Sequence, residues 1–145
     1  LSELKEHYVY TFLGKGWEHH VERLNNAGYE THHIKFAPNY IEEICKHDIQ
    51  VTPICIGTGT KGKVLDAIAN GLLVIGTWYA LENIAVKHLE SCIEYDEAKE
   101  FIKILKDIIV RRNYYENIAL IGRKSILERH NQKLISEHLF RFMKE

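Results

Sequence analysis

The chain has 145 residues, of which 46% are hydrophobic and 27% are charged, and its formal net charge is -1. This composition is typical of one globular domain that is large enough to bury a core. The near-neutral charge excludes the basic face with which proteins bind nucleic acid or anionic membranes. Since no apolar run is long enough to cross a bilayer, we expect a cytoplasmic protein without a transmembrane segment.

The chain begins with leucine rather than methionine, and its first residues do not form a signal peptide. We therefore expect it to be part of a longer protein. Cys45, Cys55 and Cys92 are odd in number and widely spaced, so they form neither a metal knuckle nor a C-x-x-C redox motif. They are expected to be reduced thiols, buried or half-buried, as in cytosolic proteins.

Strand and helix patterns alternate over the first 112 residues, after a charged lead-in at Leu1–His7. The apolar runs predict five strands, at Tyr8–Leu13, Tyr29–Phe36, Ile49–Ile54, Leu72–Ile75 and Glu90–Tyr95. Residues Trp78–Val86 are expected to form a loop with at most one helical turn. The helical periodicity predicts helices at Trp17–Asn26, Tyr40–Lys46, from about Lys63, at Glu97–Arg112, Tyr114–His130 and Asn131–Met143.

This order predicts one α/β domain over residues 1–145: a Rossmann-like parallel sheet with helices on both faces, followed by two C-terminal helices. In such sheets the ligand binds at the carboxyl ends of the strands. The glycine-rich segment Gly57–Ala67 follows the third predicted strand at that end. Free backbone N–H groups at a glycine turn and at the helix start suit a phosphate.

Lys63 and Asp66 lie one turn apart on the helix after the glycine turn, so they share a face. A cation on a diphosphate and a carboxylate on ribose hydroxyls would be a chemically sensible use of that face. Two simpler interpretations stay open: a surface ion pair between Lys63 and Asp66, and glycines that only shape the turn at Gly57 and Gly59.

Two familiar phosphate motifs match the segment in part. Gly57, Gly59 and Gly62 have the G-x-G-x-x-G spacing of dinucleotide-binding proteins, but the next strand ends without the carboxylate that holds the ribose. The spacing from Gly57 to Lys63 is that of a P-loop, but Val64 stands where a serine or threonine must hold magnesium. Both interpretations are therefore disfavoured.

A larger set of residues resembles the nucleotide-sugar-binding half of GT-B glycosyltransferases of family 4. The family run has a proline, a G-x-G turn, a lysine, "LEAMA-x-G-x-PVI-x-T" and then an acidic "EG". Here it reads Pro53, Gly57-x-Gly59, Lys63, Leu65-Asp66-Ala67-Ile68-Ala69-x-Gly71, Val74-Ile75-x-Thr77 and Glu82. Gly14-x-Gly16, the strand ending near Phe36 and the C-terminal helices follow the family order, so the resemblance covers essentially the whole chain.

The chain departs from the family pattern at four positions. Thr58 stands where a first acidic residue is usual, Asp66 is one methylene shorter than the usual glutamate, Leu73 replaces a proline and Asn83 replaces a glycine. These departures concern the positions expected to activate the sugar more than those expected to bind the nucleotide.

The resemblance implies the donor-binding half of a retaining glycosyltransferase that uses a UDP- or GDP-sugar, as in polysaccharide biosynthesis. Lys63 would neutralise the leaving diphosphate and Glu82 would lie near the donor sugar, and these two are the expected catalytic residues. The other expected binding roles are diphosphate at Gly14 and Gly16, base at Asn39 with Tyr40, phosphate at the turn of Gly57, Gly59 and Thr60, and ribose at Asp66.

The resemblance also implies the partners. No metal or other cofactor is expected beyond the nucleotide sugar itself, and no nucleic acid. The acceptor would bind an N-terminal domain of the same enzyme, which this chain lacks; any peripheral contact with a membrane would be made there, and this piece alone would be inactive. The alternative is a non-catalytic Rossmann-like module that binds a nucleotide or an acidic partner.

Adjacent histidines at His19-His20 and His32-His33 point in different directions on a helix or a strand, so we interpret them as surface residues rather than as metal ligands. The aromatic residues Trp17, Trp78 and Tyr79 have the chemistry to stack on a base or a sugar. Half-buried packing is the commoner role of such residues and is what we expect for them.

Overall fold

The computed structural model describes residues 2–53, 61–82, 84 and 86–144, with the backbone alone at residues 61 and 130–144. Within these ranges strands and helices alternate as the sequence predicts, which confirms the α/β class. The helices are α1 (Ser2–Glu6), α2 (Glu18–Asn26), α3 (Tyr40–Ile44), α4 (Lys61–Ala69), α5 (Trp78–Leu81), α6 (Ala98–Val110) and α7 (Arg112–Lys144). The strands are β1 (Val9–Leu13), β2 (Glu30–Ile34), β3 (Ile49–Thr52), β4 (Leu73–Gly76) and β5 (Ile93–Glu94).

Among the described residues all the strand pairs are parallel, as predicted, but they form two small sheets instead of one continuous sheet. β1 pairs with β2, with Val9 opposite Glu30, and the second sheet has the order β3-β4-β5, with Ile49 opposite Leu73. In the described ranges the sheets are connected by side-chain packing, since Leu4, Tyr8 and Tyr29, which flank β1 and β2, pack in the same apolar cluster as residues of β4. Apolar periodicity identifies strands but not which of their edges pair.

Helices cover both faces of the second sheet, because successive side chains of β4 point to opposite sides. Val74 packs in one buried cluster with Val64, Ala67 and Ile68 of α4 and with Ile126 of α7. Leu73 and Ile75 pack in the other buried cluster, together with Leu105 of α6 and Tyr115, Ile118 and Ala119 of α7. The prediction that helices cover both faces of the sheet is therefore confirmed for this sheet.

The C-terminal region forms one helix, so the predicted break between His130 and Asn131 is wrong. α7 runs through 33 residues, and no glycine or proline follows Gly122 to end it. Gly122 itself marks a close contact, because a Cβ placed on it would lie 2.5 Å from the carbonyl oxygen of Ser91. None of the helices in the described residues, α7 included, is long and apolar enough to cross a membrane.

Two other predicted elements differ in detail. The lead-in contains helix α1, which forms because Leu4 is buried against the second sheet's core. The last strand is shorter than predicted, since a tight turn precedes it in which Leu89 has a left-handed φ of 64°. Trp78–Leu81 is the single helical turn that the sequence predicts in that loop.

The two described cysteines lie in contrasting environments. Cys92 is buried, as expected, and burial raises the pKa of its thiol to about 12, with a smaller contribution from Glu94. Cys45 follows α3 and is exposed, so the expectation of a buried or half-buried thiol is wrong there. The Cys45 side chain lies at the surface because α3 is short and buries only Ile44. Cys55 lies outside the described residues.

Candidate functional site

A polar group of four side chains lies where α3, β3 and α4 meet; we call Tyr40, Gln50, Lys63 and Asp66 the β3–α4 group. Gln50 is at its centre. Its Oε1 accepts a hydrogen bond from the Tyr40 hydroxyl at 3.1 Å, and its Nε2 donates to the Lys63 carbonyl at 3.3 Å and to Thr52 Oγ1 at 3.4 Å. One amide side chain on β3 therefore connects that strand with the helices α3 and α4.

The Lys63 ammonium is exposed and lies 5.6 Å from the centroid of the Tyr40 ring. An ammonium at this distance from an aromatic face is held by a cation–π interaction of about 0.5–1 kcal/mol at an exposed site. Among the described residues, no ion pair joins Lys63 to Asp66, so the simpler interpretation of a surface ion pair is not what the structure has. The ammonium is oriented but still open to an anion.

The Asp66 carboxylate completes the group. Burial raises the pKa of the Tyr40 phenol, and the negative charge of Asp66 raises it further, whereas the hydrogen bond to Gln50 acts in the opposite direction. Asp66 is exposed, and its backbone carbonyl accepts a hydrogen bond from Asn70 Nδ2 at 2.7 Å. The structure thus brings the predicted pair Lys63 and Asp66 into one group around Tyr40.

Sequence reasoning missed Gln50, although a signal for it was present. Gln50 and Thr52 are the polar residues of an otherwise apolar strand, and their spacing of two places both on one face. Gln50 is partly buried and Thr52 is buried at 7% exposure, which means that their polar atoms need partners inside the protein. Polar positions of this kind indicate a network on the helix-covered face.

Asn39 caps helix α3. Its Oδ1 accepts a hydrogen bond from the backbone N–H of Glu42 at 3.0 Å, which satisfies one of the free donors at the helix start. The cap fixes the first turn of α3 and so the position of Tyr40. The predicted contact of Asn39 with a base stays a prediction, and the oxygen of its side chain is already engaged by the helix.

Gly14 and Gly16 form a turn at the end of β1, on the first sheet. Their φ values are 116° and 90°, in the region that favours glycine, and His33 Nε2 lies 2.7 Å from the Gly14 carbonyl oxygen. The pKa of Glu18 is lowered, first by its own backbone N–H, then by the charges of His33 and Lys35 and by the Gly16 N–H. The Glu18 carboxylate also lies 3.8 Å from Lys35 Nζ, so a protein carboxylate with its own partner stands beside the turn that the sequence assigned to a diphosphate.

Glu82 ends helix α5, where its backbone N–H donates to the Trp78 carbonyl at 2.8 Å and its side chain is partly buried. Trp78 and Tyr79 on the same helix are 54% and 50% exposed, so about half of each residue is covered, as the expected half-buried packing predicts. Gly57, Gly59 and Thr60 lie outside the described residues, and their predicted roles stay predictions.

Histidine, cysteine and carboxylate side chains of the described ranges form no group of three that could hold a metal ion. No model of a known protein family matches the chain, and no curated protein matches it significantly.

Proposed function

We propose that this chain is the donor-binding unit of a retaining glycosyltransferase that uses a nucleoside diphosphate sugar. The observation that carries the proposal is the β3–α4 group, in which an ammonium, a carboxylate and a phenol share one place on a parallel α/β sheet. α4 is the next element after β3, and its first turn is tied to that strand by the hydrogen bond from Gln50 to the Lys63 carbonyl. Ligands of such sheets bind at the carboxyl ends of the strands.

In this function the Lys63 ammonium neutralises the diphosphate as the glycosidic bond breaks. A positive charge already held near the leaving oxygens stabilises the developing charge without reorganisation. Tyr40 and Gln50 hold Lys63 in place, because the Tyr40 ring faces the Lys63 ammonium and the Gln50 amide donates a hydrogen bond to the Lys63 carbonyl. Asp66 accepts hydrogen bonds from the ribose hydroxyls, and Glu82 acts near the donor sugar.

The turn of Gly14 and Gly16 offers a second contact for the diphosphate. The Glu18 carboxylate lies close enough to this turn for the Gly16 N–H to contribute to lowering its pKa, so the turn favours a negative charge. The negative charge of that carboxylate would repel a diphosphate at the same turn. We therefore expect Glu18→Ala to tighten the binding of nucleoside diphosphates, whereas it would leave their binding unchanged if the turn has no part in it.

The remaining parts of the proposal concern partners. The acceptor and the base that activates it come from an N-terminal domain of the same cytoplasmic enzyme, so this piece binds the donor without completing the transfer. Positive side chains and helix N–H groups take the place of a metal in binding the diphosphate.

The proposal is tested by the thermal unfolding of the chain with and without UDP, GDP and ADP. A ligand at a hundred times its dissociation constant stabilises the folded state by ~2.7 kcal/mol, which raises the melting temperature by about 8 °C in a domain of this size. We expect such a rise with UDP or GDP, and we expect Lys63→Ala and Asp66→Ala to remove most of it.

Lys103→Ala is the matched control, because Lys103 is an exposed lysine on α6 and outside the β3–α4 group. It should leave the rise unchanged. If no nucleoside diphosphate raises the melting temperature, the glycosyltransferase proposal is wrong and the non-catalytic interaction module becomes the better one. If Lys103→Ala lowers the rise as much as Lys63→Ala, binding is a general charge effect.

A further inference from the structure

Two adjacent aromatic rings stand on the surface at the start of α5. The rings of Trp78 and Tyr79 are 5.2 Å apart between centroids and inclined at 77°, and both are at least half exposed. An aromatic ring of this size covers roughly 150–250 Å² when buried, so the pair leaves on the order of 200 Å² of ring surface in water.

A second adjacent pair in the chain shows how such rings are usually accommodated. Tyr114 and Tyr115 are also edge-to-face, at 5.1 Å and 88°. Tyr115 is buried and its hydroxyl donates to Asp107 Oδ2 at 2.5 Å, and the guanidinium of Arg111 covers the Tyr114 ring at 4.0 Å. Trp78 and Tyr79 differ from this pair because both of their rings remain open.

The exposed pair is anchored through its buried chain neighbours. The two residues that follow it on α5, Ala80 and Leu81, are buried in the same apolar cluster as Val64 and Ala67 of α4. The backbone N–H of Thr77 donates to the Thr52 carbonyl at the end of β3, at 3.3 Å. The rings are therefore held at the edge of the second sheet where β3 ends and α4 begins.

The size of the exposed surface indicates the kind of partner. A stable protein interface buries at least about 1,000 Å² in total, several times what these two rings offer. A single six-membered sugar ring matches them better: its C–H bonds carry a small positive charge that is attracted to the negative face of an aromatic ring, and its hydroxyls reach polar groups nearby.

We propose that Trp78 and Tyr79 form a stacking platform for a pyranose ring beside the β3–α4 group. It rests on the proposed nucleotide-sugar function, since that function places a sugar at the same edge of the sheet. The sugar has two possible sources, the donor and a saccharide acceptor, and both share the ring chemistry that the platform recognises.

The experiment compares the chain with a Trp78→Ala/Tyr79→Ala variant in two titrations. Calorimetry measures the binding of UDP and GDP against that of UDP-glucose and GDP-mannose. Saturation-transfer NMR measures the binding of methyl glucoside and methyl mannoside. Because the double variant removes both aromatic faces, we expect it to weaken nucleotide-sugar binding about tenfold and to change nucleoside diphosphate binding less than twofold.

Tyr114→Ala is the matched control, since it removes a ring from the other edge-to-face pair, and Trp78→Phe should restore part of the lost affinity. A loss confined to the nucleotide sugars supports the platform with the donor as the source of the sugar. A loss confined to the free glycosides supports it with the acceptor as the source. An equal loss for diphosphates and nucleotide sugars, or no loss with any probe, overturns the platform.

Failure of the proposed function gives a different pattern. In that case neither UDP nor GDP binds the unmodified chain, and the glycoside titration alone tests the stacking platform. Glycoside signals that disappear in the double variant and persist in Tyr114→Ala support a saccharide platform on a protein of another function. Glycoside signals that are absent, or that survive the double variant, overturn the platform as well.

Discussion

The two sheets of this chain have the same parallel pairing but differ in burial. Every residue of β4 is buried, and apolar clusters pack against both of its faces. By contrast, β1 and β2 contain no fully buried residue, and neither does α2, which packs beside them. An open groove of about 380 Å³ lies on that side, lined by Phe12, Trp17, His20, Arg23, Leu24 and Ala27.

The difference shows which part of the fold stabilises the rest. Apolar burial is the main favourable term in folding, so the second sheet and its helices provide most of the stability. The first sheet depends on a few connections, among them Leu4 and the hydrogen bond from the Tyr8 hydroxyl to the Leu105 carbonyl. We expect it to open at a lower free energy than the second sheet.

The largest effect should come from Ile75→Ala. Ile75 is fully buried in β4, and removing a buried isoleucine side chain costs about 4 kcal/mol of unfolding free energy, through lost burial and the remaining cavity. Ile34→Ala in β2 is the matched substitution, because Ile34 is only partly buried, and it should cost about 1 kcal/mol. Urea denaturation measures the loss of unfolding free energy in each variant. Equal losses would mean that the two sheets contribute equally.

Gly122→Ala should have the next largest effect. Alanine in a helix is normally better than glycine by about 1 kcal/mol, but here the new Cβ would meet the Ser91 carbonyl oxygen at 2.5 Å. Pushing α7 away from the second sheet should cost about 2 kcal/mol. Gly62→Ala on α4 is the control: a Cβ placed on Gly62 would have no described atom within 4 Å, so this change should raise the urea midpoint. A rise with Gly122→Ala would contradict the close contact.

A smaller effect is expected from Tyr8→Phe, which cuts a connection between the sheets. The Tyr8 hydroxyl donates to the Leu105 carbonyl at 2.6 Å, and losing such a bond costs about 1 kcal/mol. We expect amide hydrogen exchange in β1 to quicken while exchange in β4 stays unchanged. Tyr79→Phe, at an exposed ring, should alter neither. A uniform change in both sheets would show that they unfold as one unit.

The same tyrosine predicts a dependence on pH. Burial, and then the neighbouring Tyr10, raises the pKa of Tyr8 to about 12 from its ordinary value of 10.0. Because the folded pKa is the higher one, the contribution of the neutral phenol is complete below pH 10 and is lost as the pH rises from 10 to 12. Stability should fall over this window, and the fall should be smaller in Tyr8→Phe.

The smallest effect is expected from Leu89→Gly in the turn before β5. A left-handed φ costs a residue other than glycine about 1–2 kcal/mol, and the greater freedom of unfolded glycine offsets part of the gain. Since Leu89 is exposed, little burial is lost, and we expect stabilisation by about 0.5 kcal/mol. Thermal unfolding measures it. A loss of stability would show that the leucine side chain matters to this edge of the second sheet.

The sequence predicted those elements whose pattern depends on local chemistry. The apolar run of β4 and the amphipathic pattern of α6 follow from burial on two faces and on one stripe, and both elements are present. The helix α1 was missed because its one buried residue, Leu4, depends on distant partners. The division into two sheets could not be predicted, because the pairing of edges is decided by contacts that no local pattern records.

The same distinction applies to the candidate site. The spacing of Lys63 and Asp66 predicted a shared helix face, and both side chains do lie near Tyr40. Their connection through Gln50 depends on residues 10 and 13 positions away along the chain, so it became visible only in the folded structure. Glu18, beside the turn of Gly14 and Gly16, was likewise missed, since its charge partners His33 and Lys35 lie in and just after β2.

The contrast between the two described thiols has a practical consequence. Cys45 sits at the surface just after α3, the helix that carries Tyr40, whereas Cys92 is buried and its pKa is raised to about 12. Maleimides and other electrophiles react with the thiolate of an accessible cysteine, so at neutral pH they should modify Cys45 and spare Cys92. In a chain with Cys55→Ser, a fluorophore attached at Cys45 would lie at the opposite end of α3 from Tyr40. Its fluorescence should therefore change when a ligand binds at Tyr40.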